Sequence, residues 1–131
     1  MKQEVRRIRT EEDLGAACNS SVPLCAIGVL DRSHAQFQQH LEWLEILVLR
    51  KTSESSPFAF AWVDGHDAQN FIREFGVGIG DVPSMIVFSP RKKRYAALKR
   101  TTDAAAVDAF LQGVMHGQEH TYYMEVLSPT F

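Results

Sequence analysis

The sequence predicts a single α/β domain with a mixed central sheet of about five strands, in the order β-α-β-α-β-α-β-β-α, and helices on both faces. Three observations carry this prediction. Leu24–Leu30 (Leu-Cys-Ala-Ile-Gly-Val-Leu) and residues 58–63 (Phe-Ala-Phe-Ala-Trp-Val) are apolar along nearly their whole length, as strands covered on both faces are. Between them Phe37, Leu41, Leu44 and Val48 recur at i, i+4, i+7 and i+11, a helical stripe long enough to connect two parallel strands. Further on, residues 85–89 and 94–98 flank a turn at 90–93, so the sheet finishes on an antiparallel hairpin.

In chain order, Val5 and Ile8 sit among charges in residues 4–9, which suits a short edge strand. Thr10-Glu11-Glu12-Asp13 supplies a capping hydroxyl and then acidic side chains for a first helical turn. Leu14, Ala17 and Cys18 form the apolar side of that helix, and Asn19-Ser20-Ser21 ends it. Leu24–Leu30 belongs at the centre of the sheet. Asp31 or Ser33 is the expected cap of the long helix, whose stripe is widened by Trp43, Ile46, Leu47 and Leu49. After the polar loop 52–57, the second central strand puts Phe58, Phe60 and Trp62 on one face and its small residues on the other. Asp64-Gly65-His66-Asp67 reads as a turn with a cap, leading into a helix with Ala68, Phe71, Ile72 and Phe75 at helical spacing. Gly76 ends that helix in the left-handed conformation. Pro83 lacks a ladder donor and so belongs at the threshold of the following strand. Thr101 or Thr102 caps the last helix, with Val107, Phe110, Leu111 and Val114 as its stripe and Gly117 as its stop. The domain is expected to span residues 1–117, with 118–131 as a C-terminal tail.

The 131 residues, 45% hydrophobic and 23% charged, suit one globular domain able to bury a core without metals or many staples. A net charge of −2 and a pI near 6.2 give no global attraction for nucleic acid or an anionic membrane, and neither is an expected partner. No run approaches the roughly 18 apolar residues of a membrane span, and Met-Lys-Gln-Glu-Val-Arg-Arg lacks the apolar region of a signal peptide. The chain reads as soluble; if it is excised from a longer protein, the targeting signal lies elsewhere. The five histidines lack HExxH or paired-ligand spacing, so neither metal nor cofactor is expected. Gly76, Gly78 and Gly80 look like a phosphate loop, but they follow a helix and precede a strand, the reverse of what a phosphate cradle needs. Arg91 to Arg94, with Lys99 and Arg100, form the only charge run, read as a solvated hairpin turn and a defended edge.

Taken in this order, Leu24–Leu30, Phe60-Ala61-Trp62-Val63, Phe75-Gly76-Val77-Gly78, Val82-Pro83-Ser84-Met85, the basic hairpin through Lys99, and Phe110-Leu111 with Gly117 resemble the thioredoxin fold. From residue 4 to about 120 the chain is most similar to the non-catalytic, b-type domain of protein disulfide isomerases. Within that group it resembles the C-terminal inactive domain of isomerases with two catalytic domains. In catalytic relatives a CxxC pair follows the central strand at the N-terminus of the long helix, where the dipole and free amides stabilise a thiolate. Here that place reads Asp31-Arg32-Ser33-His34. The resemblance therefore implies a domain that is not itself an enzyme, within a parent that is a protein disulfide isomerase of the endoplasmic reticulum lumen. It also implies a role in oxidative folding: binding unfolded polypeptide or folding-factor proteins, or positioning neighbouring thioredoxin-like domains of the same chain. The residues expected to meet a peptide or partner are His34, Phe75, Val77, Ile79, Val82 and Pro83, with the Val82–Pro83 bond cis.

Cys18 and Cys25 leave three readings open: a structural disulfide, two free thiols, or a redox pair. Cys18 ends a helix and Cys25 opens the adjoining strand, so their Cα atoms could lie within the roughly 7 Å that a bridge requires. The inactive relatives resemble this chain in carrying cysteines at those places. A redox enzyme using Cys18 and Cys25, and a thioredoxin-fold scaffold outside the secretory pathway, are the alternative functions.

Overall fold

Six strands form one sheet in the order β1-β3-β2-β4-β5-β6. They are β1 (Arg6–Arg7), β2 (Leu24–Leu30), β3 (Phe58–Asp64), β4 (Ser84–Ser89), β5 (Arg94–Leu98) and β6 (Tyr122–Tyr123), and the helices are α1 (Glu11–Ala17), α2 (Phe37–Ser53), α3 (Gln69–Arg73) and α4 (Ala104–Met115). This is a computed structural model, and it describes residues 5–18, 23–53, 57–100 and 104–123. β1, β3 and β2 run parallel, whereas β4 is antiparallel to β2 and begins the antiparallel run through β5 to β6. The two apolar runs thus take the interior positions, where both faces are covered.

Alternation along β2 divides the core. Cys25, Ile27 and Val29 join Leu14 of α1 and Phe71 and Ile72 of α3 in one apolar layer. Ala26 and Leu30 face Leu44 and Leu47 of α2 and Val107 and Leu111 of α4 in the other. Phe58, Phe60 and Trp62 share this second layer, while Ala61 and Val63 lie in the first. Gly28 is required by the approach of α2, since a Cβ there would lie 2.9 Å from Leu44 Cδ2. Lys51, 3% exposed, pairs with Asp108 and ties α2 to α4.

The termini of the elements follow local chemistry. Thr10 caps α1, its hydroxyl accepting the Asp13 amide at 3.1 Å. Gly76 (φ +74°) and Gly117 (φ +71°) close α3 and α4 in the left-handed region. Three sequence expectations change. α2 starts at Phe37, not at a cap on Asp31 or Ser33, because the Asp31 carboxylate turns onto the Ser33 amide (2.9 Å) and hydroxyl (2.6 Å), closing a separate turn. α3 has only five residues. Tyr122 and Tyr123, within the stretch read as a tail, pair with Tyr95 and Arg94 as an added edge strand. The expected helix end at Asn19-Ser20-Ser21, the Thr101 or Thr102 cap, Glu4 and residues 124–131 lie outside the described residues. No helix among the described residues is long and apolar enough to cross a membrane.

Candidate functional site

Ligands of open α/β sheets bind beyond the C-terminal ends of the parallel strands. Three loops meet at that end here. Residues 31–36 follow β2, residues 65–68 follow β3, and residues 76–83 lead into β4, whose start lies beside the end of β2 because Val29 is partnered with Ser84. Gly65 welds them together. Its amide donates to the Leu30 carbonyl at 2.7 Å, and a Cβ on it would meet Ile79 Cδ1 at 2.9 Å, Val82 Cγ2 at 3.2 Å and Val29 Cγ1 at 3.4 Å. The Val82–Pro83 peptide bond is cis, and Pro83 is buried.

Hydrogen bonds fix each loop. The Asp81 carboxylate accepts the Gly78 amide at 2.9 Å, which is the chief reason its pKa lies below the usual carboxylate value. Asp81 also faces Arg100 Nε at 3.3 Å, and its carbonyl accepts the Arg100 amide at 2.9 Å. The Ser33 hydroxyl is likewise the main cause that holds the Asp31 carboxyl low, and His66 Nε2 lies 3.3 Å from the second Asp31 oxygen. His34 is exposed, and its Nδ1 accepts the Gln36 amide at 3.0 Å. Its ring centroid lies 5.1 Å from that of His40. His40 is 6% exposed, and its Nδ1 has no hydrogen-bond partner among the described residues. Burial, and then the proximity of His34, push its pKa below the ordinary histidine value.

The loops at this end carry the polar side chains of Asp31, Ser33, His34 and His66 and one large exposed apolar side chain, Ile79. Ser33 donates to a carboxylate, not to an imidazole, so it lacks the base that would activate a hydroxyl nucleophile. Among the described residues no group of three or more His, Cys, Asp or Glu side chains is placed to hold a metal ion.

Of the residues expected to meet a partner, the structure brings Ile79 (38% exposed) and Val82 against Gly65, with His34 exposed on the loop after β2, while Pro83 is buried. Phe75 and Val77 are corrected: at 2% and 1% exposure they are core. Phe75 stacks on Phe88 and meets Phe71 and Tyr95 edge-on. Val77 is turned inward by the helix end, where its amide donates to the Ile72 carbonyl at 3.1 Å and that of Gly76 to Arg73 at 3.0 Å. A cavity of about 260 Å³ opens between α3 and this loop, bordered by Gln69, Arg73 and Ile79. Gly65, His66 and Asp81 were not singled out from the sequence. The Asp64-Gly65-His66 turn carried a signal, a glycine between two polar residues directly after a central strand.

Cys18 and Cys25 form a disulfide with Cα atoms 5.8 Å apart, at 8% and 0% exposure. Cys25 is the second residue of β2 and Asp31 follows its last, so at about 3.3 Å per residue the sulfurs lie on the order of 20 Å from the loops.

Comparison with known proteins places this geometry. No curated protein sequence matches the chain. The structure is similar to the Trx4 domain of ERdj5 (TM-score 0.66, 14% identity, 88% of this chain and 98% of that one). It is also similar to thioredoxin of Malassezia sympodialis (0.63, 12%, 86% and 92%) and to the zinc-bound form of human ERp44 (0.60, 15%, 84% and 30%). The chain spans 16% of the length of the ERdj5 chain whose form II structure it matches. These likenesses show a thioredoxin-like fold. The family model described as the PDIA6-like, C-terminal thioredoxin-like domain matches residues 1–119. One expectation is thereby corrected. That the domain is not an enzyme rested on the missing CxxC alone, yet a domain of the disulfide isomerase family that carries its own Cys18–Cys25 disulfide cannot be declared inactive on that ground. With residues 1–119 of 131 matched, the chain belongs to the PDIA6-like, C-terminal thioredoxin-like domain family of the protein disulfide isomerases.

Proposed function

We propose that this domain binds unfolded or extended polypeptide across the loops at the C-terminal ends of β2 and β3, within a protein disulfide isomerase of the endoplasmic reticulum lumen. The observation that carries the reading is Ile79. It is an apolar side chain 38% exposed on a loop pinned by Asp81, and it borders a cavity of about 260 Å³. A pinned loop costs less ordering entropy on binding than a free one. Asp31, Ser33 and His66 supply polar groups beside it for a peptide backbone. The test is titration with a reduced, carboxymethylated polypeptide followed by amide shifts. Shifts at Ser33, His66, Ile79 and Val82, and an affinity lowered about threefold or more by Ile79→Ser, are expected. Silence of these amides, with wild-type affinity in Ile79→Ser, rejects the site.

A second reading, positioning of neighbouring thioredoxin-like domains, is favoured by Ile46 and Leu49. They are 60% and 46% exposed, three residues apart on α2, the spacing at which helix side chains share one face. If these residues hold a neighbouring domain, Ile46→Ser with Leu49→Ser enlarges the radius of gyration of the full-length parent in solution scattering. An unchanged radius removes this reading.

A further inference from the structure

The turn between β4 and β5 lies at the opposite end of the sheet from those loops, because Cys25 at the start of β2 is partnered with Phe88 at the end of β4. Four cations are consecutive there: Arg91, Lys92 and Lys93 are exposed, and Arg94 is partly buried. Ser89 shapes the turn, its carbonyl accepting the Lys93 amide at 2.9 Å and its hydroxyl the Lys92 amide at 3.1 Å. Lys93 sits at φ +57°, a left-handed conformation that glycine and asparagine adopt more readily. The chain accepts a backbone cost at this position while carrying a positive charge at the tip of the turn.

Read from the sequence, this run has no aromatic residues among its charges. The fold supplies them. β6 lies beside the start of β5, with Tyr123 opposite Arg94 and Tyr122 opposite Tyr95, and the two β6 tyrosines are 70% and 54% exposed. Arg94 is held in place: its Nε donates to Thr121 Oγ1 at 2.7 Å, a terminal nitrogen donates to the Thr121 carbonyl at 2.8 Å, and the guanidinium lies 5.0 Å from the centre of the Tyr123 ring. Next to them is a cavity of about 210 Å³, with Leu24, Val87 and Val114 among its apolar walls, Lys92 and Arg94 at its border, and Glu119 as the carboxylate that lines it.

We propose that this corner of the sheet binds an acidic, extended peptide segment. Its carboxylates would meet Lys92 and Lys93, one apolar side chain would enter the cavity, and the adjoining backbone would lie along the two exposed tyrosines. Charge selects the partner: the chain carries a net −2, so a cluster of four cations is a local field of the opposite sign that attracts acidic segments and repels basic ones. The apolar walls of the cavity distinguish a peptide from a nucleic acid, which has no aliphatic side chain to bury there. The surface is separate from the Ile79 loops, so either proposal can fail alone.

The experiment uses fluorescein-labelled peptides of about 12 residues, rich in glutamate around one central leucine, with a lysine-for-glutamate twin and a serine-for-leucine twin. An oligouridylate of similar charge serves as the nucleic-acid arm. Binding of the glutamate peptide is expected, with amide shifts at residues 91–94 and 121–123 and weakening as NaCl rises from about 50 to 300 mM. Lys92→Glu with Lys93→Glu should weaken it about tenfold or more, Tyr123→Ser about threefold, and the serine twin several-fold. Lys93→Gly suits the left-handed backbone and so keeps the fold; several-fold weaker binding with an undiminished thermal midpoint assigns the effect to the charge. Equal binding of the lysine twin, indifference of the Lys92 and Lys93 variants, or equally tight oligouridylate binding at the same amides overturns the proposal.

Discussion

Phe75→Ala separates a core role from a binding role for the ring that follows α3. The side chain is 2% exposed, its centroid 5.6 Å from that of Phe88 in a stacked arrangement and 5.1 and 5.3 Å from Phe71 and Tyr95 in edge-on ones. Removing a buried phenylalanine ring costs about 3–5 kcal/mol in transfer and cavity terms. Three ring partners argue for the upper half of that range, since favourable aromatic pairs add about 0.5–1.5 kcal/mol each beyond area alone. About 4 kcal/mol is therefore expected, against a total domain stability on the order of 5–15 kcal/mol. At about 4 °C per kcal/mol the thermal midpoint should fall by roughly 15 °C. Urea unfolding followed by far-UV circular dichroism would read the change, with the m-value unchanged if the folded and unfolded states keep their exposed surfaces. Ile79→Ala, at 38% exposure, is the control and should cost less than about 1 kcal/mol. A loss under about 1 kcal/mol for Phe75→Ala, together with abolished peptide binding, would refute the core assignment and return the ring to the binding rim.

Three further outcomes are expected. Cys18→Ala with Cys25→Ala removes a cross-link over a separation of seven residues, for which the chain-entropy relation gives about 2.4 kcal/mol of lost stability; urea midpoints under non-reducing conditions measure it, and a change below about 0.5 kcal/mol would contradict it. His40 keeps its proton less readily in the fold than the free side chain does, so the unfolded chain binds more protons once the pH falls below about 6.5, and stability declines from there until the folded-state pKa is passed. The Asp31 carboxyl, held low by Ser33, contributes stability that is present above about pH 3.9 and is lost as the pH falls through its folded value. A pH series of urea midpoints should thus show two separate declines on acidification, with His40→Leu flattening the upper one and Asp31→Asn reducing the lower, to which the Asp13 and Asp81 carboxyls, also held low by backbone amides, contribute; a wild-type profile in either variant removes that assignment. Gly65→Ala places a methyl 2.9 Å from Ile79 Cδ1 and 3.2 Å from Val82 Cγ2. The Ile79 and Val82 methyl resonances should move and peptide affinity should fall about threefold or more, with a stability loss near 1 kcal/mol; unmoved methyl signals would show that the turn after β3 does not touch the loop carrying Ile79 and Val82.

Much of the fold was legible because the signals were physical and local. Leu24–Leu30 and residues 58–63 are apolar on both pleat faces, as a strand covered on both sides requires. Thr10, Gly76 and Gly117 were readable as helix ends because a capping hydroxyl or a left-handed turn involves only neighbouring residues. What escaped depends on interactions that sequence pattern does not encode. The start of α2 turned on which amide the Asp31 carboxylate would choose, and Ser33 competes successfully with the helix for it. β6 has two residues and no period; Arg94 reaches Thr121 across 27 positions to hold it. At the candidate site, the glycine-punctuated loop led to Val77, Ile79 and Val82 together as residues expected to meet a partner; Ile79 is exposed and Val82 partly so, whereas Val77 is core. An apolar residue just after a helix-ending glycine commonly folds back onto the helix it follows, and Phe75-Gly76-Val77 carried that signal.

The separation of the sulfurs from the loops has a consequence for conditions of use. The Cys18–Cys25 bond lies near one end of β2, and the Ile79 loops lie beyond the other. Affinity for a polypeptide at those loops should then be indifferent to the glutathione ratio of the medium so long as the domain stays folded. If the loops bind polypeptide as proposed, its residence there is timed by its own folding and not by the redox state of the medium.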